Sequence, residues 1–244
     1  MNYFLCIDVG NSLCKLAVFY NNRLVLSKSL PDLNLTLVKT LFSQFPIQHT
    51  ILCQVKSIKN SIKNYLKKNS EYREMSLTLR LPVKIKYHTP STLGKDRLAA
   101  VCGAVRLHSG FDLLVIGIGT CITYDLVTSD HHFIGGSISP GLDMRLKSMH
   151  QFTARLPEVQ KNLRVSLTGK NTVAALQAGA LWGIQAEISG MIKLYQPQYP
   201  KLKVILFGGG SEFYKNRLKK AIFAHPNLVI LGLKEILSFN VQTI

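Results

Sequence analysis

The chain has 244 residues, 47% hydrophobic and 18% charged, the composition of a globular protein able to bury a core in one large domain or two small ones. Its 30 basic and 13 acidic residues give a net charge of +17, a field that attracts polyanions. No apolar run reaches the roughly 18 residues that cross a bilayer, which excludes a membrane-spanning helix.

The N-terminus enters a strand directly, without a basic region and cleavage site, so no signal peptide is read. Cys6, Cys14, Cys53, Cys102 and Cys121 form no Cys-x-x-Cys pair, which excludes a zinc site or disulfide frame and predicts reduced core thiols in the cytoplasm. The lysines and arginines are densest at Lys56–Lys68, Arg80–Lys86 and Lys215–Lys220. They lack aromatic interleaving and any DNA-binding spacing, so they read as a solvated basic surface suited to anionic substrates rather than as a nucleic-acid interface.

Residues 3–9, 15–20 and 23–29 read as strands joined by short turns. Pro31-Asp32 opens a predicted helix in which Val38, Leu41, Phe42 and Phe45 share a face. Thr50–Val55 is a predicted strand, and Ser57 is a predicted cap for a helix with Ile58, Ile62, Tyr65 and Leu66 on one side. A short strand at Val83–Tyr87 and a helix at Ser91–His108 complete the order βββαβαβα. The second half follows suit, with strands at 113–118, 121–127 and 132–138 and helices near 142–151 and 171–195. A strand at Lys203–Phe207, a helix from Ser211 to Ala224, a strand at Leu228–Leu231 and a helix near Lys234–Phe239 end the series.

Two stretches repeat one plan. Ile7-Asp8-Val9-Gly10-Asn11 ends one apolar run and precedes another. Ile116-Gly117-Ile118-Gly119-Thr120 does the same in the second half. By itself the first is also an ordinary hairpin with Asp8 as turn former. The repetition points instead to a duplicated α/β chain, halves 1–110 and 111–244, facing a shared nucleotide cleft. Glycines at Gly119, Gly135-Gly136, Gly141 and Gly208-Gly209-Gly210 fall at strand ends, where backbone approaches phosphates. Neither a P-loop nor a Gly-x-Gly-x-x-Gly fingerprint is present.

Three further stretches carry a resemblance. Tyr87-His88-Thr89-Pro90-Ser91-Thr92-Leu93-Gly94-Lys95-Asp96-Arg97 resembles the Tyr…Gly-x-Asp-Arg segment of type III pantothenate kinases. Gly135-Gly136-Ser137-Ile138-Ser139-Pro140-Gly141 and Thr153-Ala154-Arg155-Leu156-Pro157 are similar to that family's Gly-Gly-x-Ile-x-Pro-Gly and Thr-Ala-x-Leu-Pro. Thr172…Ala175…Gly179…Gly183 resembles its helix at the dimer interface.

The resemblance implies a duplicated ribonuclease H-like, actin-like ATPase fold and ATP-dependent phosphorylation of pantothenate, the first step to coenzyme A. It implies that Asp8, Val9, Gly10, Asn11, Ser12, Leu13, Cys14 and Lys15 form the phosphate loop, with Asp8 beside magnesium through water, and that Thr120 contacts the nucleotide. It further implies that Tyr87, Gly94, Lys95, Asp96, Arg97 and Thr172 bind pantothenate, with Asp96 as proton acceptor and Arg97 on an anionic group. A homodimer is implied, through a helix carrying Ala178, Gly179, Ala180 and Gly183.

One position departs. The family's second turn reads Asp-x-Gly-Thr, and its Asp holds the activating potassium or ammonium ion. Here that position is Gly117, which brings no side-chain oxygen. Cation-independent catalysis, a cation held by carbonyls and a chain without turnover all fit. A working kinase is expected, because Asp8, Asp96, Arg97, Thr120 and Thr172 remain. The alternative is a regulatory accessory protein of transcription on the same fold.

Overall fold

The computed structural model describes residues 2–218 and 222–241. The chain forms two compact units. One holds residues up to Gly110, Asp130–Ile134 and the segment from Asn227 onward. The other holds Phe111–Ser129 and Gly135–Pro226.

In the first unit, β1 (Tyr3–Val9), β2 (Cys14–Tyr20), β3 (Arg23–Leu30), β4 (Ile47–Gln54) and β5 (Glu71–Glu74) form a sheet of order β3-β2-β1-β4-β5. The first three strands pair antiparallel with one another, whereas β4 and β5 continue parallel from β1. Residues of alternating side on β1 explain the layering, because a strand presents successive side chains to opposite faces. Leu5, Ile7 and Val9 join a core with Leu16, Val18, Val38, Leu41, Leu52, Ile62 and Leu66. That core is covered by α1 (Leu35–Gln44) and α2 (Asn60–Asn69). On the other side pack α3 (Lys95–Leu107) and α7 (Leu228–Val241).

The pairing of α3 with α7 depends on glycine. A Cβ on Gly232 would lie 1.7 Å from the Ala99 carbonyl oxygen, and one on Gly103 would lie 2.6 Å from that of Leu228. Backbone therefore meets backbone at this crossing, which no larger residue permits.

The second unit repeats the plan with β7 (Leu113–Ile118), β8 (Cys121–Val127), β9 (His132–Pro140), β10 (Lys203–Phe207) and β11 (Ile222–Ala224). Read from β9, the order is β9-β8-β7-β10-β11, the same as in the first unit. The β7–β8 pair is antiparallel, and β10 and β11 run parallel to β7. Helix α4 (Leu142–Gln151) and the long α5 (Thr172–Tyr195) follow β9. Leu181, Ile184 and Ile188 of α5 bury against Leu114, Ile116, Val204 and Leu206 of the sheet. The shared order and directions are those of a duplicated ribonuclease H-like fold of the actin kind.

Several elements differ from expectation. The fifth strand of the first sheet is Glu71–Glu74, not Val83–Tyr87. Only β6 (Lys84–Ile85) forms in that region, pairing in parallel with His132–Phe133 at the start of β9. Glu-Tyr-Arg-Glu shows no apolar alternation because it is an edge strand with polar side chains toward water. Helix α1 starts after Asn34, whose Oδ1 accepts from the Leu37 N–H at 2.8 Å, not at Pro31-Asp32. Lys59 rather than Ser57 precedes α2. Ser91 lies in a separate 3-10 turn, Pro90–Thr92, and α3 begins after Gly94.

In place of one helix from Ser211 to Ala224 there is a short α6 (Ser211–Lys215) and then β11. Residues 219–221 of that expected helix, including Lys219 and Lys220 of the basic stretch, lie outside the described residues. Leu228–Leu231 is the first turn of α7 and not a strand. A short apolar run bounded by glycine fits a buried strand or a buried helix equally well, and tertiary packing decides.

Candidate active site

In the first unit the β1–β2 turn is tight. The Gly10 N–H donates to the Leu13 carbonyl at 3.0 Å, and Asn11, Ser12 and Leu13 are exposed at its tip. Cys14 is buried. Below the turn, Asp8 stands directly opposite Lys15 on β2 and Cys53 on β4. Asp8 Oδ1 is buried and has no hydrogen-bond partner.

Burial pushes the Asp8 carboxyl up to about 7, and the Asp96 carboxylate adds to the rise while Lys15 opposes it. Burial likewise lowers the Lys15 ammonium, with Asp8 resisting. A buried carboxylate oxygen without a donor, with a second carboxylate in electrostatic reach, marks a site short of positive charge.

Asp96 is fixed by the start of α3. Gly94 caps that helix without a side chain, and Asp96 Oδ1 accepts from the Arg97 N–H at 2.9 Å. A Cβ on Gly94 would lie 2.8 Å from this oxygen and 3.3 Å from Arg97 Cδ. Gly94 therefore leaves the room that the carboxylate and the arginine stem occupy. Arg97 is only 7% exposed, a depth arginine takes when its guanidinium is engaged. Lys95 beside it is exposed. Tyr87 is half-buried, with its ring 6.0 Å from that of Phe133.

In the second unit the equivalent turn closes through the Gly119 N–H, which donates to the Cys121 carbonyl at 3.0 Å. Thr120 is exposed at the turn. Gly117 takes the place of Asp8, between Thr123 on β8 and Phe207 on β10. A Cβ there would lie 2.6 Å from Phe207 Cζ and 2.7 Å from Thr123 Oγ1. The ring and the hydroxyl thus fill the space of a side chain. Asp125 is fully buried opposite Val115, two pairs farther along β8. Thr172 is the exposed first residue of α5, whose cap is Asn171 through an Oδ1 that accepts from the Ala174 N–H at 2.9 Å.

The two units answer differently for bound ions. Among the described residues, no group of three or more His, Cys, Asp or Glu could hold a metal. Asp8 with Asp96 nonetheless fits magnesium, which keeps several waters and takes one or two carboxylates plus phosphate oxygens. Gly117, backed by the Phe207 ring, does not fit a monovalent cation held by a carboxylate.

Two features escaped the sequence reading. Phe207 reaches Gly117 only through parallel pairing of distant strands. A second is a cluster around Glu187, the sole acidic residue of α5. A lone acid in an otherwise apolar helix is the signal that could have found it.

The type III pantothenate kinase family model matches residues 4–194. A type III pantothenate kinase of Christiangramia forsetii is 41% identical over 97% of this chain and 98% of its own. One of Phocaeicola vulgatus is also 41% identical, again over 97% and 98% of the two chains. Among solved structures, a Campylobacter jejuni protein assigned to the Baf family of transcriptional activators superposes with a TM-score of 0.62 at 24% identity, covering 98% of this chain and 99% of that one. This last similarity speaks for the fold alone. With the family model spanning most of its length and relatives matching nearly all of it, the chain belongs to the type III pantothenate kinase family.

Proposed function

We propose that the protein transfers the γ-phosphoryl group of ATP to the primary hydroxyl of pantothenate, giving 4'-phosphopantothenate and opening coenzyme A biosynthesis in the cytoplasm. The observation that carries this reading is the Gly94–Asp96–Arg97 start of α3, with its carboxylate held by its own helix and in electrostatic reach of buried Asp8.

Phosphoryl transfer asks a protein mainly for position and charge. Asp96 accepts the proton of the pantothenate hydroxyl, a role that needs a carboxylate held still within hydrogen-bond reach. Arg97 takes an anionic group of the substrate, and Tyr87, Gly94, Lys95 and Thr172 complete its binding. The turn from Asp8 to Lys15 meets the phosphates, with Lys15 as an added positive charge, and Thr120 contacts the nucleotide. Asp8 would hold magnesium through water, and the metal would supply charge neutralisation for the phosphates. Asp8 itself stays poised between charged and neutral near pH 7 until positive charge arrives, and then holds it.

Turnover does not need potassium or ammonium, because Phe207 and Thr123 occupy the place of the carboxylate that would bind them. Two copies associate through α5. One face of that helix is buried through Leu181, Ile184 and Ile188, whereas Gly179 and Gly190 have no atom within 4 Å of a Cβ position.

The test is phosphopantothenate formation by wild-type protein and Asp96→Asn, with magnesium and ATP, in potassium or in sodium alone. Turnover abolished by Asp96→Asn establishes the kinase. No turnover in any salt defeats this reading.

A further inference from the structure

In the second unit, three side chains from three elements converge on one carboxylate, that of Glu187 on α5. Tyr124 of β8 donates its hydroxyl to Glu187 Oε1 at 2.7 Å, and Ser139 of β9 donates to the same oxygen at 2.5 Å. Arg145 of α4 pairs through Nη2 with Glu187 Oε2. The same guanidinium donates through Nε to the Pro140 carbonyl at 2.8 Å. Burial works to raise the Glu187 carboxyl, yet donation from Ser139, Tyr124 and Arg145 prevails and holds it below its ordinary value.

The cluster bears on the residue that follows Pro140. The Gly141 N–H donates to the Thr120 carbonyl at 3.0 Å. A Cβ on Gly141 would lie 2.2 Å from the Gly119 oxygen and 2.6 Å from that of Thr120. The corner between β9 and α4 is thus pressed against the Gly119–Thr120 turn, and its distance from the sheet is set by what anchors Ser139, Pro140 and Arg145. That anchor is Glu187.

We infer that Glu187 is a positioning residue, which sets the Gly119–Thr120 turn through Arg145, Ser139 and Gly141. The inference rests on the reading of that turn as the nucleotide contact. Glu187 reaches the turn only through its partners Tyr124, Ser139 and Arg145. Its effect belongs to nucleotide binding, because the backbone it steadies is that of Thr120. An error of an ångström in such a contact lowers rates by up to about a hundredfold.

The test compares full-length wild type, Glu187→Gln, Arg145→Gln and the double variant. Glutamine keeps an oxygen for Tyr124 and Ser139 but loses the charge that holds Arg145. The expected result is an ATP KM raised about tenfold, a pantothenate KM within about twofold of wild type and an unchanged melting temperature. The double variant is expected to be no worse than either single one, as for residues acting as one unit. Calorimetric titration with ATP in the absence of pantothenate is expected to show the same weakening.

Unaltered ATP binding in Glu187→Gln overturns the inference and leaves the kinase reading intact. So does a parallel loss in both KM values that tracks a lower melting temperature, the mark of a purely structural role. Wild-type protein that binds no ATP overturns the reading of the turn, and the inference with it.

Discussion

Asp8 and Lys15 face each other across the first hairpin, yet the lysine does not hold the aspartate in its ordinary range. Burial raises the carboxyl from 3.8 to about 7, with Asp96 adding to the rise and Lys15 only opposing it. A carboxyl with a higher pKa in the folded chain than in the unfolded one stabilises the fold when protonated. That contribution is fully present below pH 4 and is lost as pH rises through about 7.

Ligand-free protein is therefore expected to lose thermal stability between about pH 4 and 7, as Asp8 ionises. Asp8→Asn cannot ionise, so it is expected to melt above wild type at pH 8, with the gap closing toward pH 4. The same variant is expected to lose turnover. Melting curves across this range decide the matter, and equal slopes for the two proteins would exclude the buried carboxyl as their cause.

The α3 start gives a sharper kinetic expectation. Asp96→Asn keeps an oxygen for the Arg97 N–H but cannot take a proton, so kcat is expected to fall by about 10²–10⁴ with little change in pantothenate KM. Gly94→Ala puts a methyl group where the Asp96 oxygen now lies. It is expected to lower kcat as well, in a protein that remains folded by circular dichroism. A Gly94→Ala enzyme with wild-type kcat would show that the carboxylate needs no such room.

Gly117 and Phe207 predict indifference to salt. Wild-type rates are expected to agree in potassium, ammonium, sodium and tetramethylammonium at one ionic strength. Gly117→Asp alone is expected to be poorly folded, since its Cβ would already meet Phe207 and Thr123. Combined with Phe207→Ala it is expected to tolerate the carboxylate and to gain stabilisation by potassium, read as a thermal shift. Strict potassium dependence of wild type would refute this account.

At the α3–α7 crossing, Gly232→Ala is expected to destabilise by about 1–3 kcal/mol or more, because the new methyl group has only backbone to push against. Denaturant unfolding measures this directly. An alanine variant as stable as wild type would mean that the helices separate without cost.

The repeated turns at Asp8–Gly10 and Gly117–Gly119 were legible in the sequence because both their spacing and their flanking apolar runs recur. The duplicated α/β plan followed from them. Glu71–Glu74 was hidden because an edge strand needs no apolar face. Leu228–Leu231 was misread because α7 is buried over much of its surface, so its opening turn looks like a core strand. At the site, Asp8, Asp96 and Gly117 could be found from local motifs. Phe207 could not, because it gains its meaning from Gly117, far away in the chain. Glu187 offered only its isolation as an acid in α5, which says nothing of its partners Tyr124, Ser139 and Arg145.

The glycine contact between α3 and α7 also orders events in time. During synthesis α3 emerges long before α7, and domains commonly fold as they leave the ribosome. Here the helix that carries Asp96 and Arg97 stays without one of its supports until residues 228–241 have cleared the exit tunnel. The N-terminal sheet can pair early, but α3 cannot settle early. A nascent chain stalled before Leu228 would hold the motif in full and still be unable to use it.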